Sequence, residues 1–183
     1  DLVDNNGQIY LDGDDEVYIS KLDSKLALKK RKNKTRSAKE TLPEIKAKRY
    51  NLYALENIDG RLLMYYTKYL KKNLRIEHCV MEINVDNPKS SMETVLSTEK
   101  FKKKKPRSIF LKNDDLSVVA FVTDPYGKSK DNSYINAIAY ATADHSELWF
   151  QTYKTKKMRK QVEFDDVHLA KNGTLFISYK DFQ

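Results

Sequence analysis

Asn132–Tyr153, NSYINAIAYATADHSELWFQTY, decides the fold. It holds two apolar runs, Tyr134–Thr142 and Glu147–Tyr153, joined by the polar corner Ala143-Asp144-His145-Ser146. β-branched and aromatic residues dominate both runs, which therefore predict two strands of one hairpin. The second run carries Trp149, the sole tryptophan, and passes directly into the basic stretch Lys154–Lys160.

Working outward, the C-terminal part continues in the same style. Ser108–Leu111, Leu116–Thr123, Gln161–Phe164, Val167–Leu169 and Thr174–Tyr179 read as strands. Turn chemistry separates them at Lys112–Asp115, at Asp124-Pro125-Tyr126-Gly127 and at Lys171-Asn172-Gly173, the last a type I′ signal. Upstream, Tyr50–Leu55 leads into the hairpin turn Asn57-Ile58-Asp59-Gly60. Arg61–Leu70 (RLLMYYTKYL) matches helical spacing at Leu62, Leu63, Tyr66, Tyr69 and Leu70, while Met64 and Tyr65 keep a strand open. Arg75–Val85 reads as a strand ended by Asp86-Asn87-Pro88. Residues 88–107 read as a polar connection with one helical turn at Ser91–Leu96, and Ser24–Leu28 as the start of a short helix. The expectation is a mainly β chain: an antiparallel barrel or sandwich of seven to nine strands with one or two helices, α+β being the alternative. Residues 1–49 form a charged N-terminal subregion, with short strands at Gln8–Leu11 and Glu16–Ile19, and residues 50–183 the core domain.

Composition bounds the function. The 183 residues are 40% apolar and 33% charged, with 12 tyrosines, enough for a core without staples. The single cysteine, Cys79, excludes an internal disulfide and favours a reducing compartment, so the expected location is intracellular, nuclear or cytoplasmic. The chain starts at Asp1 and is read as part of a larger polypeptide.

Net charge is +8, and it is unevenly spread. Residues 1–20 hold six acids and no base, whereas residues 21–49 hold 12 Lys/Arg against three acids. Basic residues gather at 29–36, at 100–107 and at 154–160. Such clusters with aromatics nearby (Phe101, Tyr126, Trp149, Tyr153) fit a polyanion: Lys and Arg neutralise phosphates and aromatic faces stack on bases. The candidate nucleic-acid-binding residues are Lys29, Lys30, Arg31, Lys32, Lys102, Lys103, Lys104, Lys105, Arg107, Lys154, Lys156, Lys157 and Arg159. The expected function is a non-catalytic nucleic-acid-binding or chromatin-associated domain, with DNA or RNA as partner and no cofactor. The alternative is a pleckstrin-like module meeting an acidic protein or anionic lipid.

Catalytic motifs are weaker. Gly127-Lys128-Ser129 lacks the first glycine of a phosphate loop, since Val122 stands there. Glu163, Asp165, Asp166 and His168 are the candidates for a metal-dependent nuclease, and equally describe an exposed β-turn. The acidic turn Asp12–Asp15 fails the EF-hand spacing. His78-Cys79 and His145 could supply a Cys/His pair, but no oxyanion-type turn flanks Cys79 and a buried bystander is the better reading.

The strand rhythm of Ser117–Val122, Tyr134–Ala139 and Glu147-Leu148-Trp149 resembles that of chromatin-associated bromo-adjacent homology domains. The likeness covers about a quarter of the chain and departs from that family's Trp-Phe-Tyr-Arg-Pro-type stretch. It implies chromatin association and no catalysis. Pleckstrin-like modules are similar in rhythm, but the chain ends in the strand Thr174–Tyr179 where they carry a helix.

Overall fold

The computed structural model describes residues 8–11, 17–20, 40–41, 50–84, 87–100, 106, 108–123, 133–155 and 162–181. They are mainly β. In chain order the strands are β1 (Gln8–Leu11), β2 (Val17–Ser20), β3 (Glu40–Thr41), β4 (Tyr50–Ile58), β5 (Arg61–Leu70), β6 (Arg75–Ile83) and β7 (Met92–Lys100). They continue as β8 (Ser108–Lys112), β9 (Val118–Thr123), β10 (Ser133–Ala141), β11 (Glu147–Thr155), β12 (Val162–Leu169) and β13 (Leu175–Asp181). Helix among the described residues is limited to the 3-10 turn Pro88–Ser90, and none is long and apolar enough to cross a membrane. The sheets run β1-β2-β3, β4-β5-β6-β7, β11-β10-β9-β8 and β12-β13, and none of these orders closes on itself as a barrel.

The thirteen strands described exceed the expected seven to nine; one of the additions is 92–100, read as a connection with a helical turn, which is strand β7. Its residues 92–95 are all exposed, so the alternation that marks a half-buried strand is missing from them. Strand β5 misleads in the opposite way. Leu62–Tyr69 are all buried, and a strand buried on both sides reads as a continuous apolar run rather than an alternating one. The expected Ser24–Leu28 helix and the Asp12–Asp15 turn lie outside the described residues.

The chain forms two compact units, Asp1–Tyr66 with Cys79–Thr94 and Thr67–His78 with Val95–Gln183. In the first, β1 pairs antiparallel with β2 from Gln8↔Ser20 to Leu11↔Val17, and β2 pairs with β3. Its core gathers Leu62, Met64 and Tyr66 with Cys79, Met81 and Ile83, against which Leu52 and Leu55 pack. The β4–β5 turn is Asp59-Gly60, with φ of 51° and 77°. Two positive values define the type I′ turn that suits the twist of a hairpin. A Cβ on Gly60 would meet nothing within 4 Å, so the cost of Gly60→Val is conformational alone, about 1–2 kcal/mol. A urea titration is expected to show that loss as a lower midpoint with an unchanged slope.

In the second unit, β8, β9, β10 and β11 form an antiparallel meander. One face packs Val118, Ala120, Ala139 and Trp149 against Leu169 and Leu175 of the β12–β13 hairpin. Further along the strands, Val122, Ile135 and Ala137 meet Val167 and Ile177. Trp149 Nε1 donates to the carbonyl of Gly173 at 3.2 Å. The expected break at Asp165-Asp166 is a bulge inside the continuous strand β12, between Phe164 and Asp166. The 171–173 turn is not type I′. Gly173 has φ of 80° while Asn172 is not left-handed, and the Ala170 amide bonds to the Thr174 carbonyl at 2.8 Å. A longer loop with a left-handed glycine at its end satisfies the same Asn-Gly pair.

Candidate nucleic-acid interface

The register of the meander assigns its two ends. Ser108, at the start of β8, pairs with Thr123, at the end of β9. Asn136 of β10 also pairs with Thr123, and Ser133, at the start of β10, pairs with Thr155, at the end of β11. The start of β8, the end of β9, the start of β10 and the end of β11 therefore share one end of the sheet. The segments joined to these strand ends in sequence, 101–107, 124–132 and 156–161, together hold 11 Lys/Arg and two Asp. The turns at the opposite end, 113–117, 142–146 and 170–174, hold three Asp and one Lys.

The opposite end is fixed by local hydrogen bonds. Asp115 Oδ1 accepts from the Ser117 hydroxyl at 2.6 Å and from its amide at 3.2 Å. Asp144 Oδ1 does the same with Ser146, at 2.7 and 3.0 Å. These bonds hold both carboxyls below the usual carboxylate range, so that end stays negative. Asn113 ties the 113–117 turn to its surroundings: its side-chain amide donates to the Lys171 carbonyl at 3.1 Å, and its oxygen accepts from the Val118 amide at 2.9 Å.

A buried polar network anchors the basic end. His78 is fully buried and stacks on Phe121, ring centroids 4.4 Å apart. Its Nδ1 lies 3.1 Å from Thr67 Oγ1, and its Nε2 lies 3.1 Å from Glu99 Oε1 and 3.2 Å from Thr123 Oγ1. Thr123 donates to Glu99 Oε1 at 2.9 Å, Asn136 donates to Glu99 Oε2 at 2.8 Å, and Thr152 donates to Asn136 Oδ1 at 2.9 Å. A carboxylate cannot face a bare ring nitrogen, so Nε2 carries a proton toward Glu99. Burial pushes the Glu99 carboxyl up, but the bonds from His78, Asn136 and Thr123 outweigh it and hold it below the usual range. Glu99 immediately precedes Lys100, so the network fixes where the basic segment leaves β7.

Twelve of the thirteen candidate residues (Lys29, Lys30, Arg31, Lys32, Lys102, Lys103, Lys104, Lys105, Arg107, Lys156, Lys157 and Arg159) lie outside the described residues. The backbone of Lys154 is described in β11, opposite Tyr134. The described strand ends bring the attachment points of clusters 100–107 and 154–160 together; 29–36 has no such anchor among the described residues.

The other candidates separate. Cys79 packs in the core of the first unit while His78 is bound to Glu99, and consecutive strand residues point to opposite faces, so they form no Cys/His pair. The His145 amide closes the β10–β11 corner on the Ala141 carbonyl at 3.0 Å. Asp166 and His168 are exposed, and His168 stacks on Phe176 with centroids 6.4 Å apart. The Glu163 and Asp165 side chains lie outside the described residues. Among the described residues no three His, Cys, Asp or Glu converge to hold a metal ion. The chain matches no known protein family, no curated protein and no solved structure.

Proposed function

We propose that this chain is a non-catalytic nucleic-acid-binding domain on a sandwich-like β scaffold, gripping the phosphate backbone with its basic segments. The carrying observation is the shared sheet end to which 100–107 and 154–160 attach. Lys102–Lys105 and Arg107 act from beside β8; Lys154, Lys156, Lys157 and Arg159 act from beside β11. Lys29–Lys32 serve as an additional arm. Strands β8 and β11 are three inter-strand spacings apart, about 14 Å, which roughly four nucleotides of one strand span at their rise along a duplex. One polyanion can thus reach both segments. The acidic turns at the far end repel the same ligand and orient it.

Backbone neutralisation releases counterions, so log K falls linearly with log salt concentration. If about six phosphates are neutralised, affinity for a duplex or single strand is expected to fall roughly a thousandfold between about 50 and 200 mM salt. Fluorescence anisotropy on labelled DNA and RNA measures it, with anionic vesicles as the competing arm. Affinity independent of salt would refute the reading, as would vesicle binding without nucleic-acid binding.

A further inference from the structure

The two edges of the β8–β11 sheet are treated differently. Strand β8 touches β12, whereas the outer edge of β11 pairs with no strand among the described residues. Natural edge strands carry charges, prolines or bulges that block pairing with another chain. From Trp149 to Tyr153, WFQTY, β11 has no charge, proline or glycine, and it pairs in unbroken register with β10 from Ser133↔Thr155 to Ala139↔Trp149, the register shift falling just before this stretch, at Leu148. It also exposes apolar side chains, Leu148 at 48% and Phe150 at 46%. Both share the sheet face of Thr152, whose hydroxyl bonds across to Asn136.

We propose that β11 is the interface of a symmetric homodimer, in which β11 of a second copy adds antiparallel to this edge. Charge identifies the occupant. The strand begins beside Asp144 and Glu147 and ends in Lys154, with further lysines after it. A strand acidic at its start and basic at its end complements its own reversed copy. The two-fold axis of such a pair is perpendicular to the sheet, so opposed residues occupy the same face and their numbers share parity. Centred on Phe150, the pairing sets Phe150 opposite its counterpart and Leu148 opposite Thr152. The Leu148 and Phe150 side chains of the two copies then form one strip. Lys154 lies toward the acidic start of the other copy's strand, near Asp144 and Glu147.

Analytical ultracentrifugation of the whole chain across the micromolar range tests this. The mass is expected to rise with concentration toward twice the 21.4 kDa of one chain. Phe150→Lys is expected to stay monomeric with an unchanged urea midpoint, because the side chain it alters is exposed. Phe150→Cys is expected to crosslink copies under mild oxidation; the native thiol, Cys79, is buried and does not compete. A wild-type chain monomeric throughout the range overturns the proposal. So does a dimer that survives Phe150→Lys, and a Phe150→Cys chain that dimerises without crosslinking overturns the register.

Discussion

His78→Ala is expected to lower the unfolding free energy by about 3 kcal/mol or more. The ring is fully buried and stacked on Phe121, and truncating a buried side chain of that size leaves a cavity. It also removes a charge-assisted donor from Glu99, whose side chain is only 12% exposed, and breaking one partner of a buried pair is costlier than its net contribution. The pH dependence separates the two partners. Because the folded state holds the Glu99 carboxyl below its ordinary value, its stabilisation is present above the unfolded pKa. It is lost as pH falls through the folded one. Wild-type stability should therefore decline on acidification between about pH 5 and pH 2. Glu99→Gln, which cannot ionise, should be less stable near neutrality and show a shallower acid limb. Urea midpoints across that range decide it: a His78→Ala midpoint close to wild type, or an acid limb unchanged in Glu99→Gln, would mean the network does not stabilise the fold.

That network was invisible in the sequence for a physical reason. Its members come from six strands, and His78 is separated by 21 residues from Glu99 and by 45 from Thr123. No local spacing signals a contact of that kind, and a lone histidine beside a cysteine reads as a bystander. Local chemistry was legible where the backbone itself demands a residue type. Asp59-Gly60 announced its hairpin because both positions need positive φ, and the two apolar runs 134–142 and 147–153 around their polar corner announced β10 and β11. It failed where burial masks the period. Strand β5 is apolar on both faces and β7 begins almost wholly exposed; neither alternates. The basic end falls between these cases. An even number of consecutive antiparallel strands returns the chain to the end from which it started, so four strands between clusters 100–107 and 154–160 bring their attachment points to one end of the sheet. The sequence shows the four strands; only the register shows that they are consecutive neighbours in one sheet.

Neutralising the two clusters is expected to produce the largest functional loss. Changing Lys102–Lys105 to glutamine removes four cations, and changing Lys156, Lys157 and Arg159 removes three. Each phosphate that is no longer neutralised reduces the salt slope by about one. Either variant should keep a weaker, flatter salt dependence, and the combined variant should lose most of both affinity and slope. The stoichiometry distinguishes joint action from separate sites. If the clusters hold one strand from a common sheet end, either single-cluster variant binds the same number of strands per chain with reduced affinity, because the remaining cluster still holds that strand. If they act apart, each variant loses one class of site and leaves the other's affinity untouched. Lys171→Gln supplies the positional control. Its side chain is 79% exposed and its ammonium lies 3.8 Å from Asp115 at the opposite, acidic end, so its removal should change affinity far less than any lysine of either cluster. A loss at Lys171 equal to that at the cluster lysines would mean that overall charge, rather than the shared end of the sheet, governs binding.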